Sequence, residues 1–128
     1  HRLAVNSKIV ERMFGAPEVL VAAIKLTEMP GIFVDDSVQR VTYFHLLFSS
    51  HEVILAEGAP TESLFLGDEA LGALPEEFRA EIEALFPKAH DMSNAMMACR
   101  PIPQGRKQKQ LIVRHLKNRK PVLTVRAV

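Results

Sequence analysis

The chain is 128 residues long, 48% apolar and 24% charged, the composition of one ordinary globular domain that can bury a core without staples. A single cysteine, Cys99, excludes an internal disulfide and a multi-cysteine zinc ribbon, and the longest apolar run, the six residues Val19–Ile24, falls far short of the roughly 20 needed to span a bilayer. The net charge of +1 hides a division: residues 1–91 hold all 15 acids and 7 Lys/Arg, a balance of −8, while residues 92–128 hold 9 Lys/Arg and no acid. Such a split points to a basic arm with an anionic partner, to a tail docked on its own acidic body, or to a solvated basic face.

The predicted elements begin with a strand end at His1–Val5 and a turn at Asn6-Ser7. Residues 16–26 read two ways: Glu18-Val19-Leu20-Val21 as a strand, Ala22-Ala23-Ile24-Lys25-Leu26 as a helical turn. Pro30-Gly31 and Asp35-Asp36-Ser37 are turn signals around a short strand at Ile32-Phe33-Val34. Val41–Phe48 is rich in β-branched and aromatic types, and Ser49-Ser50 separates it from His51–Ala56. Two such runs predict an antiparallel pair, Val41–Leu47 with His51–Ala56. Gly58-Ala59-Pro60 closes the second run, and Ser63–Leu66 adds a further strand.

Near Leu74 the hydrophobic period changes. Pro75 at a first helical position, Glu76 and Glu77 behind it, and Phe78, Ile82, Leu85 and Phe86 at helical spacing predict a helix over Pro75–Phe86, stopped by Pro87. Residues 88–105 read as a loop. Gln108–Lys120 is a second predicted helix with Leu111, Ile112, His115 and Leu116 towards one side, and residues 122–128 read as a short β segment. The expected fold is mainly β with two helices in a C-terminal extension, α+β overall. A β domain at 1–67 would be followed by a helical, basic extension at 68–128.

Candidate chemistry is concentrated in Tyr43–Gly58. His45 and His51 lie six apart with Ser49, Ser50, Glu52 and Glu57 close by, and histidine is the side chain best suited to move protons near neutral pH. A strand histidine is more often a structural residue, hydrogen-bonded in the core or at the surface. A Ser-His triad fits poorly, because Ser50 and His51 are neighbours and point to opposite faces of a strand. A metal held by His45 and His51, with His1, His90 or His115 as a third ligand, matches no compact ligand spacing. No metal and no other cofactor is expected. Cys99 reads as a free thiol without a role, and Met96-Met97 as packing.

Together these residues resemble a known family. Val41–Ser63 is similar to the C-terminal end of a Hedgehog/intein (Hint) domain, in particular to a bacterial Hint-like subgroup of α-proteobacteria. Tyr43, His51 eight positions on, the hydrophobic strand Val53-Ile54-Leu55-Ala56 and Gly58 match the intein pattern. Tyr43, His45-Leu46-Leu47, His51-Glu52, Ala56-Glu57-Gly58 and Glu62-Ser63 match the pattern of the subgroup. His1-Arg2 resembles the second half of the Thr/Ser-x-x-His motif, whose histidine protonates the departing amide, and Glu18–Ala23 followed by Leu26 is similar to the subgroup as well. The resemblance covers about residues 1–66 and implies a partial Hint-type β fold. The chain would then be the C-terminal portion of its domain, in keeping with a start at His1 rather than Met.

The resemblance implies self-processing, with the chain's own upstream polypeptide as substrate. A thiol or hydroxyl attacks the preceding peptide carbonyl, a histidine protonates the departing nitrogen, and the resulting (thio)ester is opened by a second nucleophile. His1 would be the general acid of the first step, His51 would serve the second or orient its water, and His45 would be a lesser member of the site. Both His1 and His51 are then needed at one cleft. Three departures qualify this. The family's N-terminal nucleophile is absent, Phe44 stands where the family has Asp, and Glu62-Ser63 replaces the terminal His-Asn of splicing inteins. The chain alone is therefore expected to be inert, and its parent not to splice as inteins do. The competing class is a non-catalytic module that binds an anionic partner through Arg100–Lys120. With no Trp and one Tyr there is little to stack on single strands, and no nucleic acid is expected.

Overall fold

The first two strands are built on continuous apolar runs, Leu3-Ala4-Val5 between Arg2 and Asn6 and Val19-Leu20-Val21-Ala22 after Glu18. In chain order the elements are β1 (Arg2–Asn6), α1 (Lys8–Phe14), β2 (Glu18–Ala22), a 3₁₀ helix (Ala23–Glu28), β3 (Val53–Ala56), β4 (Ala59–Glu62), α2 (Ala70–Ala73), α3 (Glu76–Leu85), α4 (Ala89–Ala95) and α5 (Gly105–Lys117). The computed structural model describes residues 1–67 and 70–123. They fall into two compact units, one of residues 1–44, 53–62 and 100–123, the other of residues 45–52, 63–67 and 70–99.

In the first unit β1 and β2 pair antiparallel with Leu3 opposite Val21 and Val5 opposite Val19, so these four side chains share one face. The ends of α1 follow from its flanking residues. The Ser7 hydroxyl accepts from the Val10 N–H at 3.1 Å, and Gly15 closes the helix in the left-handed conformation with φ 65°. Residues 16–26 contain both of the predicted alternatives, the strand β2 and then the 3₁₀ helix. β4 pairs with β1 and with β3, giving a four-stranded antiparallel sheet of order β2-β1-β4-β3.

The core of this unit joins Val5, Val10, Val19, Val21, Leu26 and Met29 to Leu111 and Ile112 of α5 and to Val122. A buried polar chain adds to this packing. The Val10 N–H donates to Ser7 Oγ, Ser7 bonds His115 Nε2 at 2.8 Å, and His115 Nδ1–H donates to the Leu111 carbonyl at 2.7 Å. His115, fully buried, therefore ties the cap of α1 to α5, and both its ring nitrogens are engaged by protein. Along β2 the Leu20 N–H donates to the Pro101 carbonyl at 2.9 Å and Arg100 Nε bonds Glu18 at 3.2 Å, which covers a strand edge.

Two turns behave as their residues require. The Asp35 carboxylate accepts from the Ser37 hydroxyl and from the Ser37 N–H, and these bonds hold its carboxyl below the usual carboxylate range. The β3–β4 loop is Glu57-Gly58, with φ of 52° and 79°, the pair of positive values that a two-residue type I′ loop needs. Glycine adopts this freely; Glu57 does so against the Cβ clash of the left-handed region. Replacing Glu57 by Asn, which visits that region readily, is expected to raise stability by about 0.5–1 kcal/mol. Thermal unfolding checks it, and an unchanged or lower midpoint would contradict it.

In the second unit α2 packs against α4, Ser93 Oγ donates to the Gly67 carbonyl at 2.9 Å, and the Leu66 N–H meets Met96 Sδ at 3.2 Å. α3 starts behind Pro75 with Glu76 and Glu77 in its first turn and ends at Leu85, as predicted.

The α+β class expected from the sequence is the one observed, with differences in detail. Val41–Leu47 forms no strand; β3 pairs instead with β4. A strand needs a partner for its ladder, and Glu57-Gly58 can close a tight hairpin where Ser49-Ser50, without glycine, cannot do so without strain. Val41, Tyr43, Phe44, Leu46 and Phe48 are left exposed. Ile32-Phe33-Val34 and Ser63–Leu66 likewise form no strand. The short helix α1 was not predicted, and α2 and α4 join the two helices expected after residue 68. Of the β segment expected at 122–128, residues 124–128 lie outside the described residues; Val122 and Leu123 are not in a strand.

Candidate functional site

In the first unit, β1 carries the His1-Arg2 pair. His1 is exposed and stacks on Tyr43, ring centroids 5.9 Å apart and planes at 18°, so two motif residues distant in sequence meet. Arg2 is held across the sheet by Glu62 of β4. Its backbone N–H donates to Oε1 at 3.0 Å, and its Nη1 reaches Oε1 at 3.3 Å and Oε2 at 3.0 Å. The Thr61 hydroxyl donates to the Arg2 carbonyl at 2.8 Å. The Glu62 side chain is only 9% exposed, so its bonds to Arg2 are shielded from water. Arg2→Ala keeps the backbone bond to Glu62 but removes the two guanidinium bonds, and is expected to cost about 1–3 kcal/mol, the range for hydrogen bonds to a charged group. Urea unfolding reads this, and a loss within error of zero would show the pair to be dispensable.

In the second unit, His51 is 3% exposed. Its Nδ1 accepts the Cys99 backbone N–H at 3.0 Å, and its ring packs on Phe65 with centroids 4.7 Å apart. An accepting Nδ1 puts the proton of the neutral ring on Nε2. His51 is thus a fixed donor, oriented by a main-chain group. Beside it Glu52 and Ser63 bond reciprocally: the Glu52 N–H donates to Ser63 Oγ at 2.9 Å and the Ser63 N–H to the Glu52 carbonyl at 2.8 Å. Ser50 Oγ donates to the Glu52 carboxylate at 2.6 Å. His45 is exposed, and since residues 41–50 are not a strand, strand alternation does not set which way it points.

Sequence reasoning missed three contributors. Arg2 and Glu62 were seen only as matched letters, not as partners. Cys99 was weighed for its thiol, whereas the group that holds His51 is its amide, for which a sequence carries no signal.

The geometry supplies histidines in two settings, one exposed and stacked on Tyr43, one buried with its tautomer fixed by a main-chain N–H. The sequence model of the Hint domain matches residues 1–68. The chain belongs to the Hint domain family. No curated protein and no solved structure matches it significantly. The matched part of this Hint domain contains His1, Tyr43, His45, His51, Gly58, Glu62 and Ser63. It does not contain Cys99, whose amide orients His51, nor α5, whose Leu111 and Ile112 complete the core of the first unit. Residues beyond the family match therefore support the matched ones directly. Among the described residues no helix is long and apolar enough to cross a membrane.

Proposed function

We propose that this Hint domain is the C-terminal portion of a self-processing unit of the bacterial Hint-like subgroup, acting on its own upstream polypeptide. An upstream Cys or Ser attacks the preceding peptide carbonyl. The C–N bond breaks as His1 delivers a proton to the departing nitrogen, and the (thio)ester left behind is opened by water. His51 serves that second step through its Nε2–H, as a hydrogen-bond donor to the ester carbonyl oxygen, and as the C–S or C–O bond breaks the proton of the attacking water passes to the released thiol or hydroxyl. His45 assists from the same motif. The observation that carries the reading is the buried His51 with its tautomer fixed by the Cys99 N–H, a constraint that suits a hydrogen-bond donor of defined direction. The engaged Ser63 hydroxyl and the paired Glu62 carboxylate favour cleavage over splicing of the intein kind, because neither position offers the side-chain amide that intein release needs.

The test is expression of the parent extended to its upstream Cys or Ser, followed by mass analysis over hours with and without added thiol. A fragment cut at that residue is expected, while the 128-residue chain stays intact. An extended parent that remains whole under both conditions would overturn the reading.

A further inference from the structure

The charges of the chain divide between its two units. Among the described residues the first carries thirteen Lys/Arg against seven Asp/Glu and the second two against six, a balance of +6 in one and −4 in the other. Most of the excess cation sits on or just beyond α5. That helix turns Leu111, Ile112 and His115 into the core, and Lys107, Gln110, Arg114 and Lys117 follow one another at helical spacing on its exposed side. No acid occurs between residues 92 and 128 to neutralise them. Where α5 ends, at Asn118, the chain enters a cleft of about 710 Å³ to which Lys8 and Arg12 of α1 and Lys120 contribute cations and Glu11 one acid.

We propose that this face of α5, with the cleft at its end, binds the phosphate backbone of duplex nucleic acid. A basic amphipathic helix can serve either a lipid surface or a polyanion. Membrane attachment requires an apolar face free to insert, and the apolar face of α5 is committed to the core, which leaves Val113 and Leu116 as its exposed apolar residues. What remains outside is a row of charges with hydrogen-bonding side chains, the chemistry that neutralises phosphates. The lack of any Phe, Tyr or Trp on α5 or in the cleft weighs against stacked single strands. It does not bear on a duplex, whose backbone is recognised by charge.

The probe is a fluorescein-labelled 24-base-pair duplex DNA of arbitrary sequence, titrated with the full chain and followed by anisotropy between 50 and 200 mM salt. For about four phosphate contacts the affinity should fall roughly a hundredfold over that range. The triple variant Lys107→Gln, Arg114→Gln, Lys117→Gln, all at exposed positions, should bind at least tenfold more weakly at 50 mM and flatten the log–log salt slope by about 0.9 per lost contact. A control removing three cations elsewhere, Lys25→Gln, Arg40→Gln, Lys88→Gln, should stay within about threefold of the parent. Circular dichroism verifies that both variants fold. No binding at 50 mM salt, or equal losses in the two triple variants, would overturn the proposal. So would tighter binding to phosphatidylserine vesicles than to the duplex, which would assign the face to a membrane instead.

Discussion

In the extended parent, His51→Ala is expected to slow self-cleavage by about 10²–10⁴-fold, the usual worth of a positioned acid or base. The rate constant comes from the disappearance of intact mass over time. Because His51 is buried against Phe65, a lost rate by itself would not separate chemistry from packing. Two further measurements do. Added imidazole should restore part of the rate to His51→Ala if the ring supplies a hydrogen bond to the reacting ester, and should restore none if the defect is structural. Cys99→Ala keeps the backbone N–H and should leave the rate unchanged. Cys99→Pro removes that donor and should slow cleavage several-fold, in line with a hydrogen bond worth about 1 kcal/mol. His1→Ala should also fall within about 10²–10⁴-fold, at the step that forms the ester, so that less ester is trapped by added thiol. If His51→Ala cleaves at the parental rate, His51 has no part in the reaction.

The second large effect is on stability. Leu111→Ala should destabilise the chain by about 2–5 kcal/mol, the range for removing a fully buried leucine from a packed core. Leu116→Ala, one turn further on and 39% exposed, should cost no more than about 0.5 kcal/mol. Urea unfolding followed by circular dichroism gives both values. The contrast tests whether α5 is integral to the sheet-bearing unit, since Leu111 joins Val5, Val10 and Val19 in one cluster. Equal small losses would mean that α5 adds little to that core. With a typical domain stability of about 5–15 kcal/mol, the upper end of the expected loss would leave a marginal fold. Ile112, also in that cluster, should behave in the same sense as Leu111.

What the sequence determined by itself is local. Pro75 with two glutamates and a 3.6-residue period specify the start and run of α3, because these signals act within one or two turns. The periodicity of residues 108–116 likewise specifies α5, and the letters Tyr43, His51, Gly58 and Glu62-Ser63 were enough to reach the Hint family. Even α1 was legible in principle, since Ser7 and Gly15 bracket it as caps, but seven residues are too few for a period to stand out.

Tertiary structure decided the rest. Val41–Phe48 has every local preference of a strand, yet strand formation is a property of two segments, and the Glu57-Gly58 loop gave β3 to β4. Which apolar residues of α5 are buried depends on α1, β1 and β2, nearly a hundred residues away in sequence. The site shows the same division. A motif names His51, but whether its proton sits on Nδ1 or Nε2 was set by the amide of Cys99, 48 positions on. Backbone groups are the same in every residue, so no sequence pattern can announce which of them will orient a side chain; only the fold that brings them together does.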